Sequence, residues 1–327
     1  MKIIIVDDKN KGQRLNKFCG RILKEAPDSF VYKMLRKKNI TLNKKKAGGA
    51  EILNEGDEVC FFLADETFEK FSGKTDENKV NPGVSPVESK RIVYEDDDVL
   101  ICYKKAGELS QKAEKNDISV NERMLAYLEK KDKDTGFTPG VINRLDRNTD
   151  GLIVMGKNVH AASVLSKAFA GHELEKNYIA AVKGQKDRLK EGRLSLYLKK
   201  DNDENISEVF ENEVPGSVRI ESEIFCIAES GKYSLLKIRL LTGKSHQIRA
   251  SLKFLGLSVV GDPKYGDRED NRINREKYGI YAQLLTAYEL KFPESFPELP
   301  ALAGRSIKTE LSESFRRFID GNGLKEG

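Results

Sequence analysis

The sequence predicts an α+β fold in two domains. Strand-like and helix-like segments follow one another without the regular strand-helix alternation of a doubly wound protein. The length of 327 residues also exceeds the usual size of one domain. Residues 64–90 are polar, contain two prolines and show no apolar periodicity after Phe71, which is typical of a linker. We therefore predict a small domain at residues 1–63 and a larger one at residues 91–327.

The small domain is predicted to contain two helices and a β-ribbon. Apolar residues recur at helical spacing in residues 15–22 and 29–38. Residues 40–43 and 50–63 alternate between apolar and polar side chains, and a turn sequence interrupts the second segment.

The larger domain is predicted to mix strands with two strong helices. One helix is expected at residues 158–171 and the other at residues 246–255, each followed by a helix-ending glycine. The acidic run at residues 201–213 is expected to be a solvated loop. Strands are expected in the segments 91–105, 141–158, 177–182 and 232–241.

Composition narrows the classes of protein that fit. No apolar stretch approaches the roughly 18 residues that span a bilayer, and no leader opens the sequence, so we expect a cytoplasmic protein without a membrane partner. Four widely spaced cysteines and three histidines argue against a disulfide framework or a zinc site. The net charge is +5, and residues 1–63 alone carry 14 Lys or Arg against 8 Asp or Glu. The basic excess therefore lies in the small domain.

A basic face is predicted on the second helix of that domain. Lys33, Arg36 and Lys37 are spaced i, i+3, i+4, and Lys44 and Lys45 follow shortly after the helix. Such a face would neutralise the phosphates of a nucleic acid with little sequence discrimination. A solvated helix face is the alternative interpretation of the same pattern.

Asp146 is the first candidate for chemistry in the larger domain. It lies between Arg144 and Arg147 and precedes a turn and an apolar strand. A carboxylate beside arginines is expected to stay ionised, which suits a nucleophile or an electrostatic stabiliser. A surface ion pair at the end of a strand would give the same pattern. Asp150 competes as a carboxylate, but its position before a glycine is typical of a turn.

Two further segments carry candidate residues. Lys244, His246 and Gln247 lie at the start of the helix at residues 246–255, where an anion would be favoured, and Arg249 could bind a phosphate or Asp146. His246 could equally be a structural side chain.

On a predicted strand, Lys176 and Tyr178 are two residues apart and share a face. The tyrosine could stack on a base or be half-buried for structural reasons. The glycine-rich patterns typical of nucleotide cofactor sites are absent from the sequence.

In this order, these motifs resemble those of the RluA-type pseudouridine synthases, the family that also includes the RluC and RluD enzymes. The segment INRLDRNTDGL at residues 142–152 is similar to the family's HRLDxxTSGL motif, with Asp146 at the position of the catalytic aspartate. TGKSHQIRASLKFLGLSVVGDPKYG at residues 242–266 is similar to its later motif, YKKAG at residues 103–107 to its NKPAG element, and Lys176 with Tyr178 to its KxY element. The resemblance covers residues 91–293.

Residues 1–63 are similar to the small RNA-binding domain named after ribosomal protein S4. Six positions in the larger domain depart from the family pattern, and they are Lys105, Asn143, Asp150, Lys244, Ser251 and Ser258. Asn143 and Asp150 flank the candidate aspartate, so they bear most directly on the choice of RNA target.

The resemblance implies a mixed, mainly antiparallel sheet and the isomerisation of uridine to pseudouridine in structured RNA, without a cofactor or a metal. By the family's chemistry Asp146 acts on the sugar, Arg249 pairs with it, and Tyr178 stacks on the uracil. Large-subunit ribosomal RNA is the first expected partner, transfer RNA the second, and the protein is expected to be a monomer. The residues expected to contact RNA are Lys33, Arg36, Lys37, Lys44, Lys45, Arg144, Arg147, Lys176, Lys244, His246 and Gln247.

Two other functions are compatible with the residues alone. One is a noncatalytic RNA-binding or ribosome-assembly factor that keeps the fold, which the departures around Asp146 would favour. The other is a hydrolase that uses Asp146 and His246, although no nucleophilic Ser or Cys motif accompanies them.

Overall fold

The computed structural model describes residues 1–72, 83–114, 117–129, 138–184, 187, 189, 191–201 and 206–324. Its helices are α1 (Leu15–Ile22), α2 (Asp28–Arg36), α3 (Asp65–Ser72), α4 (Val120–Glu129), α5 (Val159–Ala170), α6 (Gln247–Phe254), α7 (Arg268–Tyr278) and α8 (Glu313–Gly321). Its strands are β1 (Lys2–Ile5), β2 (Ile40–Leu42), β3 (Lys45–Lys46), β4 (Glu58–Phe61), β5 (Ile92–Glu95), β6 (Val99–Lys104), β7 (Gly140–Val141), β8 (Asp150–Gly156), β9 (Glu175–Lys183), β10 (Gly192–Asp201), β11 (Ile206–Phe210), β12 (Val218–Ser230), β13 (Tyr233–Leu240), β14 (Ser258–Val259), β15 (Leu285–Lys291) and β16 (Ser306–Lys308).

The N-terminal part folds around its own hydrophobic cluster. Helix α1 buries Leu15, Phe18 and Cys19 on one face, which is the i, i+3, i+4 pattern that predicted it. Strands β1, β4, β2 and β3 form an antiparallel four-stranded sheet in that order. The sequence predicted both helices and the β2 strand, but it did not predict β1, which pairs with β4 and completes the sheet.

Helix α3 occupies the beginning of the segment that the sequence predicted as a linker. Phe68 is 6% exposed and belongs to the N-terminal hydrophobic cluster. Its ring contacts that of Phe61 edge-on, with 5.6 Å between the centroids. The predicted linker at residues 64–90 is therefore wrong for residues 65–72, because Phe68 packs on the N-terminal sheet and Phe71 packs against Phe30 of α2. Residues 73–82 of the expected linker lie outside the described residues.

The second part is built on one large mixed sheet of 12 strands. The main path runs β11-β10-β12-β13-β9-β15-β8-β6-β5, with β14, β16 and β7 attached at its sides. Among the strand pairs that the structure describes here, only β8 with β15 is parallel. The predicted α+β class with mainly antiparallel pairing is confirmed. The acidic run at residues 201–213 is not simply a loop, since β11 pairs with β10 inside it.

Strand β8 runs through the core and fixes the position of the loop before it. All of its residues are buried, because helices cover both faces of the sheet. Leu152 and Val154 point to one face, where α5 packs, and Ile153 and Met155 point to the other, where α4 packs. Helix α5 matches its prediction. Asn158 is its N-cap residue, and the Asn158 side chain accepts a hydrogen bond from the Ala161 amide.

A glycine permits the close parallel pairing of β8 and β15. Gly151 has φ +121°, and a Cβ added there would lie 2.3 Å from the carbonyl oxygen of Ala287. The chain therefore passes very close to β15 at this point. The loop at residues 142–149 therefore lies at the N-terminal end of an interior strand, where Asp146 reaches α6 and shares a pocket with Tyr178 of β9.

Candidate active site

Asp146 pairs with an arginine from a distant part of the chain. Arg249 on α6 donates from Nη1 to Asp146 Oδ2 over 2.8 Å. The Asp146 side chain is 26% exposed and that of Arg249 only 5%, so a buried cation meets a carboxylate that still reaches solvent. Of the two partners that the sequence allowed for Arg249, the structure shows the carboxylate. The neighbouring Arg147 instead donates to the Gly107 carbonyl.

Arg249 also forms an ion pair with a second carboxylate, that of Asp262. Its Nε and Nη2 donate to the two carboxylate oxygens of Asp262 over 2.6 and 2.8 Å. The Asp262 side chain is fully buried. Burial alone would raise the pKa of Asp262, but the hydrogen bonds and charge of Arg249 outweigh it and hold that pKa below its usual value. The sequence reasoning did not single out Asp262, although it belongs to the motif at residues 242–266.

His246 also lies near the Asp146 oxygen that Arg249 contacts. Its Nε2 is 3.9 Å from Asp146 Oδ2, and its Nδ1 is 3.0 Å from the hydroxyl of Tyr265. Burial, and the charge of Arg249, lower the pKa of His246, although the charge of Asp146 opposes them. The Arg249 guanidinium also lies over the Tyr265 ring, 4.9 Å from its centroid. Tyr265 is a second residue that the sequence reasoning missed.

Tyr178 and Lys176 project from β9 into the same pocket. This pocket has a volume of about 880 Å³, within the range of ligand sites. Burial raises the pKa of Tyr178, and the negative charge of Asp146 adds to the effect. Burial lowers the pKa of Lys176. The prediction that these two residues share a face of a strand is confirmed, and that face is part of the pocket wall with Asp146.

Most of the pocket wall is polar or basic. The wall includes Arg144, Lys176, Lys244 and His246, which the sequence singled out. It also includes three residues that the sequence did not single out, namely His172, Lys200 and Arg219. These three come from different elements, and only the fold shows that they converge. Burial lowers the pKa of His172. The predicted basic residues Lys33, Arg36, Lys37, Lys44 and Lys45 are exposed on the N-terminal part instead.

The Gln247 side chain lies in the pocket wall and forms hydrogen bonds within the protein. It is 2% exposed. Its amide oxygen accepts hydrogen bonds from the Thr242 hydroxyl and the Lys244 amide, and its amide nitrogen donates to the Glu221 carbonyl. These contacts hold the loop that carries Lys244, so Gln247 shapes the pocket through its neighbours.

The structure explains the two residues near Asp146, Asn143 and Asp150, that differ from the family pattern. Asn143 donates to the Leu152 carbonyl and accepts from the Val154 amide, which fastens the loop to β8. Asp150 is 5% exposed, does not line the pocket, and accepts hydrogen bonds from Tyr103 and Thr286. Burial raises the pKa of Asp150. The added carboxylate therefore faces the core and not the pocket.

Lys104 supports the Asp146 loop from inside the protein. Its side chain is fully buried, and Nζ donates to the carbonyls of Lys105, Arg147 and Thr149 over 2.8 to 3.1 Å. Burial lowers its pKa from 10.5 to about 8, against the opposing charges of Glu108, Asp150 and Asp146. One ammonium group thus fixes the backbone on the C-terminal side of Asp146.

Lys104→Met is expected to lower the free energy of unfolding by about 2 to 4 kcal/mol, because three buried carbonyls lose their donor. Between pH 8 and 10.5 the folded wild type binds fewer protons at Lys104 than the unfolded chain, so this group makes stability rise with pH in that window. Urea unfolding at pH 7 and pH 9.5 measures both effects. A stability difference between wild type and variant that does not change between these two pH values would contradict the assignment.

A metal-binding cluster and a membrane-spanning helix are both absent from the part of the chain that the structure describes, residues 1–72, 83–114, 117–129, 138–184, 187, 189, 191–201 and 206–324. These residues contain no group of three or more His, Cys, Asp or Glu side chains that could hold a metal ion. No helix among them is long and apolar enough to cross a membrane.

Most of this site lies in the part of the chain that matches the sequence model of a known family. A paired carboxylate lies in a basic pocket that also presents a tyrosine, on a mainly antiparallel sheet. The sequence model of the family described as RNA pseudouridylate synthase matches residues 98–254, the part that contains Asp146, Tyr178 and Arg249.

Full-length relatives agree with this match. An uncharacterised RNA pseudouridine synthase of Mycoplasma genitalium is 30% identical, over 96% of this chain and 98% of that protein. The ribosomal large subunit pseudouridine synthase C of Escherichia coli K12 is 28% identical, over 89% of this chain and 88% of the relative. The chain belongs to the RNA pseudouridine synthase family, and it is an isomerase that acts on RNA.

Among solved structures, human RNA pseudouridylate synthase domain containing 4 has the same fold. The TM-score is 0.59 at 17% identity, and the alignment covers 72% of this chain and 94% of the human one.

Proposed function

We propose that this enzyme isomerises specific uridines of structured RNA to pseudouridine with Asp146 as its catalytic residue. The observation that carries the proposal is the contact between Asp146 and the buried Arg249 in a basic pocket. A preorganised cation of this kind fixes the position of the carboxylate, and the burial of Arg249 strengthens the interaction. Substrate uridine would have to leave any base stack to reach Asp146, which favours a loop nucleotide.

Each pocket residue has a role in this proposal. Asp146 acts on the sugar of the target nucleotide. Arg249 touches Asp146 and orients it. Tyr178 stacks against the uracil, and because its pKa is raised it enters the reaction as the neutral phenol. Arg144, Lys176 and Lys244, with His172, Lys200 and Arg219, contact the phosphates around the target nucleotide.

Large-subunit ribosomal RNA is the proposed substrate, with transfer RNA as the second choice. The support is the Escherichia coli relative named for the ribosomal large subunit, which matches most of this chain. The catalytic part corresponds to the larger predicted domain at residues 91–327.

The deciding experiment is pseudouridine mapping. Unmodified ribosomal and transfer RNA transcripts are incubated with wild type and with Asp146→Asn, and every pseudouridine is located by position. We expect product at one or a few uridines of large-subunit RNA with wild type only. Product confined to transfer RNA would show that transfer RNA is the substrate and would leave the proposed mechanism unchanged. Equal product with both proteins would refute the role of Asp146.

We further propose that the N-terminal part is an RNA-binding domain of the S4 type that includes α3. Its support is the exposed cationic surface at the C-terminal end of α2 and on the β2–β3 hairpin, formed by Lys33, Arg36, Lys37, Lys44 and Lys45. Such a surface adds phosphate contacts and so raises affinity without reading sequence.

The triple variant Lys33→Gln, Arg36→Gln, Lys37→Gln is expected to weaken RNA binding and to reduce the slope of log affinity against log salt by about 2. A salt titration of binding measures the slope. The matched control removes three exposed cations of α7, Arg272, Arg275 and Lys277, which lie outside both basic surfaces. Equal slopes for wild type and the α2 variant would refute the proposed RNA-binding surface.

A further inference from the structure

Tyr265 and His246 form a short hydrogen-bond chain that ends at the pocket. The backbone amide of Ser207 on β11 donates to the Tyr265 hydroxyl oxygen over 2.6 Å. That hydroxyl lies 3.0 Å from His246 Nδ1. Tyr265 itself is only 6% exposed, so its hydroxyl hydrogen needs a partner within the protein.

This arrangement bears on the tautomer of His246. The Tyr265 oxygen accepts from the Ser207 amide, and the hydroxyl hydrogen can be donated to His246 Nδ1 or to the nearby side chain of Ser207. Donation to Nδ1 requires the imidazole hydrogen to be on Nε2. Burial lowers the pKa of His246, which agrees with a neutral ring.

The backbone directs that hydrogen toward Asp146. His246 has φ +58°, a left-handed conformation that is uncommon for residues other than glycine. In this conformation Nε2 faces Asp146 Oδ2 at 3.9 Å, which is too long for a hydrogen bond. The separation instead suits one oxygen atom that donates to the carboxylate and accepts from the imidazole.

We propose that His246, held by Tyr265, donates from Nε2 to the 2′-hydroxyl of the nucleotide on which Asp146 acts. The inference rests on the proposed function, since that reaction breaks the bond between C1′ and the uracil nitrogen. Whether Asp146 attacks the sugar or removes a sugar proton, its carboxylate lies near C1′. The 2′-hydroxyl is on the adjacent carbon, and it is both a donor and an acceptor. His246 thus distinguishes RNA from DNA at the reacting nucleotide, and Tyr265 is its positioning residue.

The first test is the tautomer, measured by 15N NMR of the imidazole nitrogens. The chain has three histidines, so His160 and His172 serve as internal references and His246→Asn assigns the third signal. Asn tolerates the left-handed backbone. At neutral pH we expect His246 with hydrogen on Nε2 alone in wild type, and a mixture of tautomers in Tyr265→Phe. Hydrogen on Nδ1 in wild type would overturn the proposal.

Tyr233→Phe is the matched control for this variant. Tyr233 is also buried, and its hydroxyl hydrogen-bonds to Asp270 and Asn274, away from the pocket. It should change the stability of the protein and leave the His246 signals as they are. A shift of the His246 tautomer in Tyr233→Phe would show a general structural effect and would overturn the role of Tyr265.

The second test compares binding of a ten-residue oligouridine with that of the matching oligodeoxyuridine at low salt. We expect wild type to prefer the RNA about fivefold to tenfold through this contact, and His246→Asn and Tyr265→Phe to lose most of that preference while they keep their affinity for the DNA. An unchanged preference in His246→Asn would overturn the proposal. The result is independent of turnover, because isomerisation keeps the 2′-hydroxyl, so failure of the catalytic proposal is detected separately by RNA mapping.

Discussion

Asp146→Asn is expected to reduce pseudouridine formation by about 10⁴-fold or more at saturating RNA. Losses of this size are typical when the group that acts covalently or as a base at the reacting atom is removed. Asn has the same shape and can still accept the hydrogen bond from Arg249. The protein should therefore fold, and RNA affinity should change little. Single-turnover product formation and RNA binding, measured on the same preparation, separate the two effects.

Asp150→Asn is the matched control for this experiment. It is the other carboxylate of the same motif, but it is buried against Tyr103 and Thr286 and is absent from the pocket wall. We expect it to keep a rate within a few fold of wild type. Activity of Asp146→Asn within tenfold of wild type would refute the catalytic role, and a loss in Asp150→Asn as large as in Asp146→Asn would refute the division of roles between them.

Arg249→Met is expected to affect both stability and rate. Removal of the guanidinium leaves Asp262 fully buried without a counter-charge, and breaking a buried pair in this way costs about 3 to 5 kcal/mol. It also removes the contact that orients Asp146. Urea unfolding measures the loss of stability. The rate of pseudouridine formation per folded protein measures the loss of activity.

A second substitution separates the two consequences of Arg249→Met. Adding Asp262→Asn removes the uncompensated charge but keeps an acceptor near the amides of Lys264 and Tyr265. The double variant should recover part of the stability and none of the activity. If the double variant were less stable than Arg249→Met, Asp262 would have to be stabilised by something other than Arg249.

Local sequence predicted much of the fold because many elements carry their own signals. Helix α5 has a cap residue, helical apolar spacing and a following glycine, and its predicted and observed bounds agree. The bounds of α1 also agree with its prediction, and β9 contains the predicted strand at residues 177–182 but is longer at both ends. By contrast, α3 depends on two phenylalanines in a polar stretch, and β11 depends on its pairing with β10 across the acidic run. Elements that are stabilised mainly by contacts with other parts of the chain were missed.

The candidate site shows the same division. The motif at residues 142–152 and Arg249 could be singled out from the sequence, and the sequence left Asp146 as one of two partners for Arg249. Asp262 and Tyr265 could not be assigned roles, because their importance lies in contacts made by burial across the fold. His172, Lys200 and Arg219 are ordinary surface-type residues in the sequence, and only the sheet brings them to one pocket.

The parallel pairing of β8 and β15 determines when the active site can form during synthesis of the protein. It pairs Asp150 with Thr286 and Gly151 with Ala287, so the two strands are far apart along the chain. Contacts of such high sequence separation form late in folding. A nascent chain that ended before β15 would contain Asp146, Arg249 and Asp262 but would lack the strand between β8 and β9. We expect such ribosome-bound intermediates to be inactive, because the pocket wall contributed by β15 is still missing.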